Sequence, residues 1–592
     1  MTATATTTTT TTTTDAGPLF LGLDLSTQQL KGMLINKESV VEQEINILFD
    51  DEFPAYQTQN GRHVSGDRVT APVLMWVEAI DLLMAKIRQT GQAGRIRGIS
   101  GAAQQHGSVY WRPEGVQAIG ALDATVALAD QLTAAGAFAL ENSPIWEDSS
   151  TRKQCEELET LAGGPAHLAQ ITGSVAYERF TGTQIAKIKE TQPEVWQAVA
   201  RISLVSSFIA SVLAGHIAPV DAGDASGTNI YDMQRGTWAP ALCDAIDPTL
   251  IDRLGAEVVM ADHCVGPLAT YFVQRHGFHP ECSVVAFTGD NLSAYSGFES
   301  LFAASASTQA PAIVSLGTSD TVLFPLERYP YAGDASLIPA SHLGGHVLQH
   351  PTERGRYIAM LCYKNGSLAR DWVRRTSFGA QGSWDEYTRA ALDACPMAPH
   401  SIGFYYLQME ILPRAKGIHR FEENDEEEER KELQSVDKFR QGSDACAIIE
   451  SQVLAMRADY SHKSDAPLSA VAITGGASRN PALLKIIADV LNVRVFAVCA
   501  QKGAEDEHGA DVQNPAMPAY GGAVRALQHW RTTSDGRSSD ASAAAAPVPA
   551  PAASGYVLQQ VCSPDAQAHA LYSEALHNYE HLRDQVSKSS KE

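Results

Sequence analysis

Two large domains of alternating strands and helices, an α/β fold, are what this chain predicts, and three observations carry the prediction. Apolar runs of strand length, rich in Val, Ile and Leu, alternate with segments of helical periodicity over most of the sequence. A length of 592 residues exceeds what a single core serves, so the core divides. A strand, a hydroxyl-bearing turn and a second strand occur in succession near the N-terminus and again just past the midpoint.

The first of these segments, Leu19-Phe-Leu-Gly-Leu-Asp-Leu-Ser-Thr-Gln-Gln-Leu-Lys-Gly-Met-Leu-Ile35, ends its first strand near Asp24 and turns through Ser26 and Thr27. Carboxylate and hydroxyl oxygens suit a hard cation, and exposed turn N–H groups can meet phosphate oxygens. The same residue types are also ordinary turn formers. A helix over Val73 to Ile87 and a strand over Ile96 to Ser100 follow. The stretch from Ile202 to Val220 lacks Asp, Glu, Lys and Arg; its four serines and one histidine make it too mildly apolar for a membrane span, and it reads as a buried helix. Val284 to Thr288 is a strand, and the Ser/Ala-rich stretch from Ser300 to Gln309 divides the chain into domains at 17–305 and 306–592.

The second hairpin, Ala312-Ile-Val-Ser-Leu-Gly-Thr-Ser-Asp-Thr-Val-Leu-Phe324, repeats the design around Gly317, Thr318 and Ser319. Further on, Ser469-Ala-Val-Ala-Ile-Thr-Gly-Gly-Ala-Ser-Arg-Asn-Pro runs a buried strand into Gly475 and Gly476 and then a helix from about Asn480. Glycine has no Cβ, so such a turn can lie along a flat group such as adenosine. A helix over Leu483 to Leu491, a strand over Val493 to Val498 and a last helix near 564–588 complete the α/β pattern. Three segments stand apart in composition. Residues 1–16 form a Thr-rich tail too polar to pack; 422–432 is an acidic run expected as a solvated helix or surface insertion; 532–554 is a Ser/Ala/Pro-rich flexible loop.

Composition excludes several classes of function. A formal net charge of −23 opposes nucleic acid and anionic membrane, both of which require a basic footprint. An anionic ligand must then be held by local donors and a cation, because the overall field repels it. The nine cysteines are scattered from Cys155 to Cys562 without a CxxC pair, which points to a reduced, cytoplasmic chain without structural zinc. No basic residue precedes Lys31, so neither a signal peptide nor a transit sequence is expected.

If a nucleoside triphosphate is bound, an acceptor and a base must lie beside it. The first half supplies groups for both. Ser100-Gly-Ala-Ala-Gln-Gln-His-Gly-Ser108 brings two amides and His106 to a strand end; Ala176-Tyr-Glu-Arg-Phe-Thr-Gly182 places Arg179 between aromatics. Pro219-Val-Asp-Ala-Gly-Asp-Ala-Ser-Gly-Thr-Asn229 offers Asp221 and Asp224, and Phe287-Thr-Gly-Asp-Asn-Leu292 offers Asp290 and Asn291. Hydrogen-bonding groups gathered at strand ends suit a polyol, whose hydroxyls each donate and accept.

The order of two phosphate hairpins and a Gly-Gly turn is similar to that of the actin-like ATPases, and the full set of segments resembles the FGGY carbohydrate kinase family. Gly22 to Lys31, Ser100 to Gly107, Asp148-Ser-Ser-Thr151, Ala176 to Gly182, Asp221 to Gly227, Thr288 to Asn291, Leu316 to Asp320 and Thr474-Gly-Gly-Ala-Ser478 carry the resemblance. Within that family the likeness is to the eukaryotic type acting on D-xylulose. It implies two actin-like (ribonuclease H-like) domains around a catalytic cleft and transfer of phosphate from ATP, with Mg²⁺, to D-xylulose, giving D-xylulose 5-phosphate for the pentose phosphate pathway. A monomer or homodimer is expected. By the same resemblance Asp221 is the catalytic base, and Asp24 is the metal site with Thr27 beside it. Gly317, Thr318 and Ser319 form the second phosphate site. His106, Arg179, Asp290 and Asn291 contact the sugar, and Trp372, Gly475, Gly476 and Asn480 bind adenosine. L-Ribulose, glycerol or another polyol is the nearest alternative acceptor, and an actin- or Hsp70-like ATPase is the alternative of another class.

Removing residues 1–14 should leave kcat within about threefold, because a threonine tract cannot support a packed core. Steady-state kinetics of the truncated chain measure this, and lost activity would show that the tail is a functional element.

Overall fold

A computed structural model describes residues 17–304, 311–423, 433–440, 442–500, 516–534 and 556–589. The tail 1–16, most of the acidic run and most of the loop near 532–554 lie outside the described residues.

The first half builds a six-stranded sheet from β1 (Leu19–Leu25), β2 (Gln29–Asn36), β3 (Val41–Leu48), β4 (Ile96–Ala103), β5 (Cys264–Pro267) and β6 (Ser283–Gly289), in the order β5-β6-β4-β1-β2-β3. Strands β1 to β3 form an antiparallel meander, whereas β4 and β6 continue from β1 in parallel. A parallel neighbour requires a crossover, which helix α1 (Val73–Gln89) supplies between β3 and β4. Position in the sheet explains composition. All seven residues of central β1 are buried, whereas edge strand β3 alternates, with Glu42 and Glu44 outward on either side of Gln43 before the buried Ile45 and Ile47.

Between β4 and β6, the stretch from Ile202 to Val220 departs from the expected single helix. Arg201–Leu204 is a strand paired with Ser108–Trp111; helix α2 (Val205–Ala214) follows, and Val220–Asp221 is strand again. Residues 202–213 are all buried, and hydropathy alone does not separate a buried strand from a buried helix. Gly215, at φ 75°, stops the helix. Helix α3 (Asp290–Ala304) then leads out of β6.

The second half repeats the plan with β7 (Ala312–Leu316), β8 (Asp320–Leu326), β9 (His346–Gln349), β10 (Tyr357–Tyr363), β11 (Ala470–Thr474), β12 (Arg494–Ala500) and β13 (Tyr556–Cys562), ordered β9-β10-β8-β7-β11-β12-β13. Again a meander of three antiparallel strands is continued by two parallel strands and an antiparallel edge. Both sheets thus have the ribonuclease H-like arrangement of the actin-like fold. The second sheet has one strand more, β9, at its meander edge. Helices α4 (Ser367–Phe378), α5 (Asp444–Ser461), α6 (Pro481–Leu491), α7 (Met517–Ser534) and α8 (Ala566–Ser589) complete the described helices used below. The predicted last helix is α8, which lies on α5 through Tyr572, Tyr579 and an Arg583–Asp459 ion pair at 2.5 Å.

Two boundary expectations are corrected. Glu422 is not part of a solvated run. It is buried in the strand Gly417–Glu423, where its carboxylate accepts hydrogen bonds from Arg440 N and Nε at 3.0 Å. Thr532 and Thr533 close helix α7 rather than opening a loop.

Helix α7, late in the chain, lies directly on the first sheet. A Cβ on Gly22 of β1 would sit 1.8 Å from the Ala519 carbonyl oxygen, one on Gly521 would sit 1.9 Å from the Ser293 oxygen of α3, and one on Gly522 would sit 2.6 Å from Gly101 Cα of β4. Backbones approach this closely only where side chains are missing. Gly22→Ala should therefore destabilise the fold by about 1–3 kcal/mol through overpacking, seen as a lowered thermal midpoint. An unchanged midpoint would mean that α7 shifts freely over the sheet.

Candidate active site

Four carboxylates converge where the first sheet's parallel strands end. Asp24 stands opposite Lys31 across the first hairpin and is 6% exposed, with Oδ1 lacking a partner among the described residues. Burial pushes its carboxyl up to about 7, the charge of Asp290 adds to the shift, and Lys31 opposes it. Asp290 opens α3 directly after β6; burial raises it to about 6, against hydrogen bonds from Asn291 N and Nδ2 at 2.8 and 3.0 Å. Asp221, 1% exposed, caps the short helix Ala222–Ala225 and accepts from Gly223 N at 3.0 Å and Asp224 N at 3.3 Å. Burial pushes Asp221 up to about 7, with the nearby Thr288 hydroxyl, Arg525 and those backbone N–H groups pulling the other way. Asp224 is driven well above the usual carboxylate range by burial and by Asp221, although the Ser206 hydroxyl donates to it at 2.5 Å. Asp221 and Asp224 thus titrate as a linked pair, because charge on Asp221 disfavours charge on Asp224.

The cation that answers these charges comes from far along the chain. Arg525 of α7 donates to the Gly101 carbonyl at 2.6 Å and to Ser293 Oγ at 3.0 Å, which locks α7 to β4 and α3 beside Asp221. Burial lowers its own pKa to about 10 while Asp221 and Asp262 oppose the shift. Reading the motifs did not find Arg525. Its signal is a single charge within the small, apolar run Ala516-Met-Pro-Ala-Tyr-Gly-Gly-Ala-Val-Arg-Ala-Leu527.

On the acceptor side, His106 adopts φ 71°, a left-handed conformation that non-glycine residues seldom take, so its neighbours hold it there. Nδ1 lies 2.8 Å from the Gly227 carbonyl. A carbonyl only accepts, so Nδ1 carries the hydrogen and Nε2 is left as an acceptor. Burial, then Arg179, hold the imidazole down to about 3, and it is neutral. Its ring stacks on Phe180 with centroids 4.4 Å apart. Arg179 lies over the Tyr177 ring at 5.6 Å and has no carboxylate partner among the described residues, so it is not a structural ion pair. Asn291 Nδ2 donates to Gln105 Oε1 at 3.4 Å, while Gln105 Nε2 and both amide atoms of Gln104 are buried without partners among the described residues. The predicted sugar residues are therefore gathered, with additional unmet hydrogen-bonding capacity from the two glutamines.

The predicted nucleotide residues gather on the second sheet. The Gly317 carbonyl accepts from Ser367 N at 3.0 Å, so helix α4, which carries half-buried Trp372, begins on the turn of Gly317, Thr318 and Ser319. Asp320 and Arg370 of α4 make two contacts at 2.6 and 3.0 Å, and Gln452 Oε1 takes a further bond from Arg370 at 2.8 Å. That bidentate pair fixes the hairpin against the helix. Gly475, at φ 91°, would place a Cβ 2.4 Å from the Leu316 oxygen, whereas Gly476 has nothing within 4 Å. Thus one glycine permits contact with the hairpin and the other leaves an open backbone face. Asn480 stands at the start of α6, where the sequence predicts a helix to begin. Its Oδ1 caps α6 by accepting from Ala482 N and Leu483 N at 3.0 and 3.2 Å, and its Nδ2 donates to Thr388 at 2.8 Å. Thr27 is held by Trp146 Nε1, which donates to its hydroxyl at 2.9 Å.

Models of the FGGY family of carbohydrate kinases match this chain, the N-terminal domain over residues 19–297 and the C-terminal domain over 312–504. The chain belongs to the FGGY family of carbohydrate kinases. It is 40% identical over 484 residues to xylulose kinase of Rattus norvegicus, covering 81% of this chain and 84% of that protein. Xylulose kinase 2 of Arabidopsis thaliana is 38% identical, covering 86% of this chain and 87% of its own. In fold it resembles ligand-bound xylulose kinase from Lactobacillus acidophilus, with a TM-score of 0.72 at 16% identity, covering 97% of this chain and 99% of that one.

Asp221→Asn should lower kcat by about 10² to 10⁴ while sugar still binds, because the amide cannot take a proton. Asp224→Asn should retain most turnover. A general base must be unprotonated to act, so with Asp221 in that role kcat/KM should fall as pH drops through about 7. A higher divalent-cation concentration should move only the part of this limb due to Asp24 to lower pH, because a bound cation favours the carboxylate. Pre-steady-state phosphoryl transfer and pH profiles measure these outcomes; loss of turnover in Asp224→Asn but not in Asp221→Asn would reassign the base.

Proposed function

We propose that this chain transfers the γ-phosphoryl group of ATP to the 5-hydroxyl of D-xylulose, giving ADP and D-xylulose 5-phosphate. The observation that carries this reading is the buried Asp221 carboxylate, raised to about 7 and placed among the polar groups of the acceptor site. The names and extent of the eukaryotic relatives support D-xylulose as the acceptor. Asp221 orients the primary hydroxyl and takes its proton as the O5–P bond forms and the bond from γ-phosphorus to the ADP oxygen breaks; the proton then passes to water. His106 accepts, Arg179 donates, and Asp290 and Asn291 hold the other hydroxyls. The turn N–H groups of Gly317 to Ser319 and the Thr27 hydroxyl meet phosphate oxygens, and Gly475, Gly476 and Trp372 take adenosine.

The unpartnered, buried Asp24 Oδ1 beside a second carboxylate fits a hard divalent cation with oxygen ligands. Mg²⁺ is assigned there, and when bound it neutralises charge on the phosphate oxygens. No helix among the described residues is long and apolar enough to cross a membrane, and a cytoplasmic location with domains divided near residue 305 belongs to the same reading.

A coupled ADP-release assay over D-xylulose, L-ribulose and glycerol, with and without chelator, tests the proposal. D-Xylulose should give the highest kcat/KM, because a site of fixed hydrogen-bonding groups penalises acceptors that leave them unpaired, and chelator should abolish turnover. A higher kcat/KM for L-ribulose or glycerol would overturn the assignment.

A further inference from the structure

Among the described residues, a polar side chain from the second half of the chain reaches the predicted acceptor residues. His346 begins β9, the strand by which the second sheet exceeds the first, yet its ring lies among first-lobe residues. Its centroid is 4.6 Å from Tyr177, 5.0 Å from Phe180 and 6.4 Å from His106. Two main-chain donors hold β9 there. Val347 N donates to the Gly173 carbonyl at 2.9 Å, and Gln349 N donates to Ser226 Oγ, in the Asp221 loop, at 3.2 Å. Gly345, at φ 76°, turns the chain into this position, and a Cβ there would lie 2.7 Å from the Met360 carbonyl oxygen.

His346 is 3% exposed, and its Nδ1 has no partner among the described residues. An unpartnered buried polar atom costs stability that an aromatic hydrocarbon of the same size would not. The site keeps the imidazole, and the charge that acts on it most is Arg179, predicted to contact the sugar. Burial first, then Arg179, His106 and Lys463, hold the imidazole far below its ordinary value, so it is neutral. A neutral imidazole has one donor and one acceptor, the pair that a sugar hydroxyl needs.

We propose that His346 is a specificity-determining residue of the acceptor site, a hydrogen-bond partner for a ketose hydroxyl contributed by the second lobe. Sugar discrimination is then set by both lobes, because β9 carries His346 into the pocket and is bonded at Gln349 to the loop that holds the base. The inference rests on the ketose kinase reading given above.

His346→Phe keeps the ring and removes both nitrogens; His346→Asn restores a donor and an acceptor. The Phe variant should raise KM for D-xylulose about tenfold, the worth of one hydrogen bond, with a smaller change in kcat. Its preference for D-xylulose over D-ribulose should shrink by a similar factor, and the Asn variant should recover part of that preference. Thermal midpoints control for folding. If the Phe variant does not fold, ¹⁵N-histidine NMR of the unsubstituted protein decides: the His346 resonances should move with D-xylulose and not with ADP alone. An unchanged xylulose-to-ribulose ratio in a folded Phe variant, or His346 resonances indifferent to D-xylulose, would overturn the proposal. Absence of ketose turnover by the unsubstituted protein would instead overturn the functional reading beneath it.

Discussion

The contact on which the rest depends is the glycine-lined seat of α7 across β1, β4 and α3. At Gly22, Gly521 and Gly522 the backbones meet with no room for a Cβ, and that closeness carries Arg525 to the Gly101 carbonyl and Ser293 hydroxyl. Without this guanidinium the carboxylates Asp24, Asp221, Asp224 and Asp290 would have only Lys31, across the hairpin, as a charge of opposite sign among those that act on them. A helix from the end of the chain thus sets the electrostatics of a site whose carboxylates come from the first half. Truncations that remove it act on chemistry as well as on packing.

Burying these carboxylates opposes stability for a definite reason. Asp24 and Asp221 rise from 3.8 to about 7 on folding, so the folded state binds more protons than the unfolded chain between those values. Stability associated with them is complete below about pH 4 and is lost as pH rises through about 7. A site that is comfortable only when protonated or when joined by a cation is suited to its task. On the proposed reading, a divalent ion would relieve Asp24 and the acceptor's proton would relieve Asp221.

The two lobes use one plan for different ends. In the first, the strand ends hold charged and hydrogen-bonding side chains, proposed to contact an acceptor. In the second, they hold turns and glycines, with Asp320 and Arg370 fixing the hairpin to α4 so that main-chain N–H groups keep their direction. Phosphates are well met by oriented backbone, whereas a polyol requires side chains that both donate and accept. The strand β9 departs from the repeat, and by carrying His346 across it joins the halves at the acceptor.

Much of the site was legible because its parts are local. A strand that ends on a carboxylate, a turn of hydroxyl residues and a pair of glycines after a buried strand are each read within a dozen residues, as at Asp24, Gly317 and Gly475. Ile202 to Val220 reads as one helix because the continuous burial of 202–213 erases the periodicity that separates strand from helix. Asn480 opens α6 as the motif predicts, and its Oδ1 caps that helix, a contact that the residue type alone does not reveal.

By itself, the sequence determined the α/β class and the two hairpins, because short-range patterning carries that information, whereas the roles of Asp221, His106 and Arg179 rest on the family resemblance. Only the tertiary structure decided that Arg525 stands beside residues some 300 positions earlier, that His346 crosses from one lobe to the other, and that Glu422 is buried. These depend on which distant backbones can approach and which charges are thereby removed from water, and no local pattern records either.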